Sequence, residues 1–393
     1  MSTTLVRSRN AIFAFAIETT PGVPILGESL ALGDLFTGDF EFEYDPQIIE
    51  NTEFTGALDM SAPVVGALRP NIRIRMPLRG TGTVNGFDHS KMLACCAMAG
   101  TLNLSAVGVP TAATAGTVNT VTAAAPFTTT AQQYRGQVLN VTGGQTFSTA
   151  ITNYTAGRVM TLGETRSVAL STSALLQIPA NNVFVPTSDD ANYKTGNIQF
   201  FKDGYRWTFA GAAGTFSIEM TTGEFAYVVF NFRAQFVSKT ITAVPAQSLM
   251  GPAFGVRLVP PKWAGGLCKL NGVTARVSRL TLNQGVSMTL PDNPEAVDGV
   301  DPGVPISRSS GGTINPLLDT TGATALFDAF RAGTGMPLMA QIGSGSTVGS
   351  RFMISCPNVR ATGLRYTPRE GLEAQEITFQ CDGPDAGLFL CYY

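Results

Sequence analysis

The most constraining stretch of this chain is residues 204–236, GYRWTFAGAAGTFSIEMTTGEFAYVVFNFRAQF. Tyr205, Trp207 and Phe209 alternate with Arg206, Thr208 and Ala210 at the two-residue period of a pleated strand. A Gly-rich turn is expected at residues 211–214. Phe216, Ile218 and Met220 then alternate with Ser217, Glu219 and Thr221, and a third run follows Thr222-Gly223. Three antiparallel strands are the expectation. The third is apolar on both faces, with Phe230, Phe232 and Phe236 on one side and Phe225, Tyr227 and Val229 on the other. Its second face therefore needs a cover, and another copy of the chain would supply one.

Charge is scarce. Charged residues make up 14% of the 393 positions, against about 25% in ordinary domains, which implies that much surface is covered. A net charge of −2 offers no grip on nucleic acid or an anionic membrane. No apolar run reaches the ~20 residues of a spanning helix, and MSTTLVRSRN lacks a signal core, so no membrane association and no export are expected. Cys95, Cys96, Cys268, Cys356, Cys381 and Cys391 show neither CxxC spacing nor a histidine cluster, which argues for reduced thiols without zinc or disulfides.

Along the chain, Phe40, Phe42 and Tyr44 point away from Glu41, Glu43 and Asp45, and Ile72, Ile74 and Met76 away from Arg73 and Arg75. Paired, these two strands merge their apolar faces and set carboxylates opposite arginines. Long loops are expected at residues 47–68 and 284–305. A helix is expected over 89–99, with Asp88 as N-cap and Gly100 as stop. A second helix carries Thr321 as N-cap, Leu326, Phe327 and Phe330 on one face, and Gly333 as stop. Between Asp88 and Glu164 no acidic residue occurs, and short Thr- and Val-rich strands mark an inserted all-β module over 103–186. With it set aside, strand, long loop, strand, short helix and hairpin occur twice. The division is a first domain over 1–102 and 187–243, a Pro-rich linker over 244–261, and a second domain over 262–393.

Motifs for chemistry are missing. The one histidine, His89, reads as a surface residue, and neither a Gly-x-Ser-x-Gly elbow nor a His-Glu-x-x-His pair occurs. Gly80, Gly82 and Gly86 have the wrong spacing for a dinucleotide loop. Asp292, Glu295, Asp298 and Asp301 read as a solvated loop rather than a calcium site. The expectation is no enzyme, no cofactor and no metal.

Residues 18–24 (ETTPGVP), the central GYRWTFAGAAGTFSIE with TGEFAYVVFNF, and the terminal RFMISCPNV with PREGLEAQEITFQCDG resemble the tail tube (major tail) proteins of long-tailed bacteriophages. The resemblance covers both halves, and the module resembles small β modules embedded in phage tail proteins. It implies a mainly-β chain: two tandem tail-tube-like β-sandwich or barrel domains, each with one short helix. Such domains stack as rings around a lumen that guides the tape measure protein and DNA, with tail terminator and distal tail proteins at the ends. A chain of two domains would form homotrimeric rings with pseudo-six-fold symmetry, assembled in the host cytoplasm and located in the virion tail. The long loops and the N-terminal arm would then join rings, and Glu41, Glu43, Asp45 and Glu219 would face the lumen. A single-ring virion protein, such as a terminator or distal tail component, is one alternative, and a non-tail β-rich binding or decoration protein is another.

Overall fold

The computed structural model describes residues 10–393 except 28–29, 32, 54–55, 57–58, 60, 86–88, 250–258, 297, 320–321 and 344–347. The chain is mainly β, with 52% strand and 5% helix. Asp88, Gly86, Thr321 and half of the expected linker, residues 250–258, lie outside the described residues.

The chain begins with β1 (Ala11–Ile17), β2 (Leu35–Phe36) and β3 (Asp39–Glu43). It then leaves the sheet as a hairpin, β4 (Pro46–Ile49) and β5 (Val64–Leu68), and returns as β6 (Asn71–Pro77). A one-turn helix, α1 (Ser90–Ala94), leads to β7 (Met98–Asn103). Seven strands, β8 to β14, form a separate sheet between residues 107 and 178. The main sheet resumes with β15 (Asn181–Pro186), β16 (Gly196–Lys202), β17 (Tyr205–Thr221) and β18 (Tyr227–Ile241). Next come β19 (Cys268–Leu270), β20 (Val273–Thr274) and β21 (Val277–Asn283). A second hairpin, β22 (Val286–Thr289) and β23 (Val304–Arg308), precedes β24 (Gly311–Pro316) and α2 (Gly322–Ala332). The chain closes with β25 (Met336–Ile342), β26 (Phe352–Arg369), β27 (Leu372–Cys381) and β28 (Phe389–Tyr392).

The pairings repeat. β1 pairs with β2 and β16, β16 with β17, β17 with β18, β18 with β6, and β6 with β3. In the same chain order, β19 pairs with β20 and β25, β25 with β26, β26 with β27, β27 with β24, and β24 with β21. The two sets meet where β17 pairs with β21. This gives eight neighbouring strands in the order β3, β6, β18, β17, β21, β24, β27, β26. One apolar core runs beneath them, from Phe13, Ile74 and Phe230 to Leu280, Ile354 and Phe379.

Several expectations change. Residues 205–221 form one strand rather than two, because Gly211 makes a bulge rather than a turn: its φ is +62°, and the register against β18 shifts between Ala210 and Ala213. The bend lets the first half of β17 pair with β16 and the second half with β21. The helix expected over 89–99 stops at Ala94, since Met98–Asn103 gain a full ladder with β15, and Gly100 there packs on the Phe184 ring. Both expected long loops are hairpins. The second face of β18 needs no second copy: Arg75 stacks 3.6 Å over Tyr227, Val229 is buried, and Asn231 and Arg233 are simply polar and exposed.

The inserted sheet is shorter than residues 103–186, because β15 belongs to the main sheet, between β7 and β28. The module has its own core of Leu139, Ile151, Tyr154, Met160 and Leu176. It also docks on the second half, through a joint cluster of its Val138 and Ala150 with Met339, Met353, Cys391 and Tyr393.

Candidate assembly interface

The eight-strand run has two end strands. Among the described residues β3 pairs only with β6, and residues 360–369 of β26 pair only with β27. Register rows identify what each end residue corresponds to inside the sheet. Phe40, Ile74, Phe230 and Phe216 lie side by side, as do Leu280, Ile314, Ile377 and Leu364. Phe40 and Phe42 are thus the counterparts of Leu280 and Leu282, and Leu364 and Tyr366 those of Phe216 and Ile218. The internal four are 0–1% exposed because β17 and β21 cover each other. At the ends the same positions are open: Tyr366 is 51% exposed, and Phe40, Phe42 and Leu364 are half-buried. Each end lacks the neighbour that its internal counterpart has.

The carboxylates expected to face a lumen separate into different roles. Glu41 sits opposite Arg73 in the β3–β6 ladder, with their charged atoms 3.8 Å apart. Glu219 is likewise 3.8 Å from Arg75. Both pairs are well exposed, so each contributes at most about 1 kcal/mol. Glu43 faces Asn71 on the same side of the sheet. Asp45 is past the end of β3, at φ +42°, where the chain turns into the first hairpin. A 540 Å³ groove on this polar face, beneath β22, is lined by Glu41, Glu43, Arg73 and Arg233, among others. Its charges balance, which gives no preference for an anion or a cation.

The two hairpins leave the sheet at corresponding places, between β3 and β6 and between β21 and β24. Arg69, at the base of the first, and Asp292, in the loop that connects β22 to β23, lie 2.7 Å apart and link the two hairpins. Ile48, Ile49, Val64 and Val65 on the first arm are 51–61% exposed, and Val304 and Ile306 on the second 46% and 66%. Apolar side chains exposed on these hairpins suit a protein contact.

Glu18 anchors this region. Its carboxylate is 6% exposed and accepts from Gly22 N and Gly211 N, both at 2.8 Å, and from Thr195 Oγ1 at 2.6 Å. The Glu18–Pro24 segment is thereby clamped to the bulge of β17, and Pro302 of the second arm packs against Gly22 and Gly211.

His89 is buried rather than on the surface, and burial pushes its pKa down to about 4 while Nε2–H donates to the Pro77 carbonyl at 3.1 Å. All six cysteines are free and buried, and burial pushes Cys268 and Cys391 up to about 12, away from thiolate chemistry. Among the described residues no group of three His, Cys, Asp or Glu side chains is placed to hold a metal. Sequence reasoning missed Asp39, Arg365, Tyr366 and Arg369, which only the register brings into view as edge residues. Comparison with protein-family models and with curated proteins finds no match to this chain.

Proposed function

We propose that this chain is a structural subunit of a phage tail tube, built from two tandem tube domains and self-assembling into stacked rings. The observation that carries the reading is the open eight-strand sheet, whose two ends leave half-buried or exposed the positions that its internal joint buries fully. A chain that already joins one unit to the next through β17 and β21 has the means to join the next chain the same way, and repetition of such a head-to-tail contact closes a ring. The duplicated pairing pattern supports three chains and six units per ring, with pseudo-six-fold symmetry. The inserted module, carried by one unit only, would then project at three positions.

The polar face of the sheet would line the lumen. There Glu41, Glu43 and Glu219 lie among Arg73, Arg75 and Arg233, a balance that would let DNA or a tape measure protein pass without phosphates being held. The apolar arms would seat on the adjacent ring. Negative-stain microscopy of the purified full chain tests this: tubes or stacked three-chain rings are the expected result. A chain that stays monomeric at every concentration, or that closes rings of six chains, would overturn it, and single rings that never stack would favour a terminator-like role.

A further inference from the structure

We propose that the contact between chains is a defined antiparallel pairing of β26 of one copy with β3 of the next, with Tyr366 opposite Phe42, Arg365 opposite Glu43 and Arg369 opposite Asp39. This rests on the ring-forming reading above.

The register comes from the joint inside the chain. There Ser217 pairs with Asn283, Ile218 with Leu282, Glu219 with Thr281, Met220 with Leu280 and Thr221 with Arg279. Transferring each residue to its counterpart at the ends places Arg365, Tyr366, Thr367, Pro368 and Arg369 opposite Glu43, Phe42, Glu41, Phe40 and Asp39. The apolar positions fall together, as in the internal joint, and the polar positions set two arginines against three carboxylates. Asp39, Glu43 and Arg365 have no ion pair among the described residues, and Arg369 spends one nitrogen on the Asn315 carbonyl at 3.2 Å. The end charges are therefore available for a partner. At the internal joint the same positions are not matched in charge, so the complementarity belongs to the ends.

The charges also decide which edges meet. Two β3 edges brought together would oppose carboxylates, and two β26 edges would oppose arginines, both of which are destabilising. Only head-to-tail pairing remains, and that geometry propagates around a ring where a two-fold contact would stop at a dimer. A slip of one residue turns Tyr366 to the polar side. A slip of two that brings Arg365 to Asp45 places it beyond β3, where the φ of +42° has already ended the strand. Pro368 has no N–H to give, which weakens pairing with unrelated strands and leaves the side chains a larger part in the choice.

The test uses the full chain in three forms. R365E/R369E and D39K/E43K, each tested separately, should reduce assembled protein about ten-fold or more. Near-ultraviolet circular dichroism should show both still folded. The combination of all four substitutions should restore assembly. An independent variant, F42C/Y366C, should form disulfide-linked oligomers on oxidation, since directly opposed residues lie within bridging distance, whereas the slipped pair Y44C/Y366C should not. If the parent chain assembles but the four-fold variant is not rescued, or the slipped pair cross-links instead, the register is wrong while the ring reading stands. If the parent chain never assembles, the ring reading itself fails and this pairing with it.

Discussion

His89 shows how far burial changes the meaning of a residue. A lone histidine beside a predicted helix N-cap reads as solvated, yet it is buried beside the end of β6, and among the described residues only the Pro77 carbonyl answers its ring. Burial is the largest cause of its lowered pKa, the hydrogen bond to Pro77 opposes it, and the nearby charge of Arg79 adds to it. The folded value of about 4 lies below the ordinary 6.5. Between those values the unfolded chain binds a proton that the folded chain refuses. Stability should thus be fully present above pH 6.5 and decline as pH falls toward 4, by about 3 kcal/mol for a shift of this size. Urea unfolding of the full chain at pH 7 and pH 4.5, compared with His89→Gln, isolates the effect from that of the carboxylates. The parent should lose more stability between the two pH values than the variant does. Equal losses would show that His89 is protonated freely in the folded state.

At the scale of elements, the sequence was most legible where two strands carry complementary patterns. The alternation of Phe40 and Phe42 with Glu41 and Glu43, and of Ile72 and Ile74 with Arg73, implied the β3–β6 ladder, and the register is the one that merges both apolar faces. The bulge at Gly211 was not legible. A glycine at positive φ serves a turn and a bulge equally, and only the partners β16 and β21, the first adjoining in sequence and the second over fifty residues away, decide between them. The arms read as loops because strands with little buried face have no period imposed on them. Their exposed side chains give a direct prediction. Ile48→Thr with Val65→Thr replaces two facing residues, 53% and 60% exposed, while keeping β-branched side chains suited to a strand. The thermal midpoint should move little, since surface changes of this kind are usually worth within 0.5 kcal/mol. Ring formation should persist while stacking into tubes is lost. Undiminished tube length in micrographs would remove the arm from the stacking contact.

For the molecule as a whole, the inserted module was visible as a change in composition, but its attachment was not. Its ends are close: Asn103 and Asn181 pair across β7 and β15, and their side chains hydrogen-bond at 3.1 Å. A short Gly/Ser turn in place of residues 104–180 would therefore close at little entropic cost. Chain connectivity alone suggests a dispensable ornament. The packing argues otherwise. Glu164, the first carboxylate after the acid-free stretch, is buried against Lys269 of β19, and Arg166 reaches it from within the module. Thr165 N–H donates to the Gly272 carbonyl at 3.3 Å, and Met339 Sδ accepts from the Ala150 N–H at 3.2 Å. Removing the module would strip the cover from Met339, Met353, Cys391 and Tyr393, all now at 1% exposure or less, and leave Lys269 without its carboxylate. Uncovering large apolar side chains costs roughly 1.5–3 kcal/mol each. The β7–β15 ladder survives, so the shortened chain should still fold, but with a clearly lower thermal midpoint and with binding of a hydrophobic dye that the full chain does not show. Calorimetry and dye fluorescence on both proteins decide it. A shortened chain that matches the full one in both measurements would mean that the module rests on the second half without stabilising it.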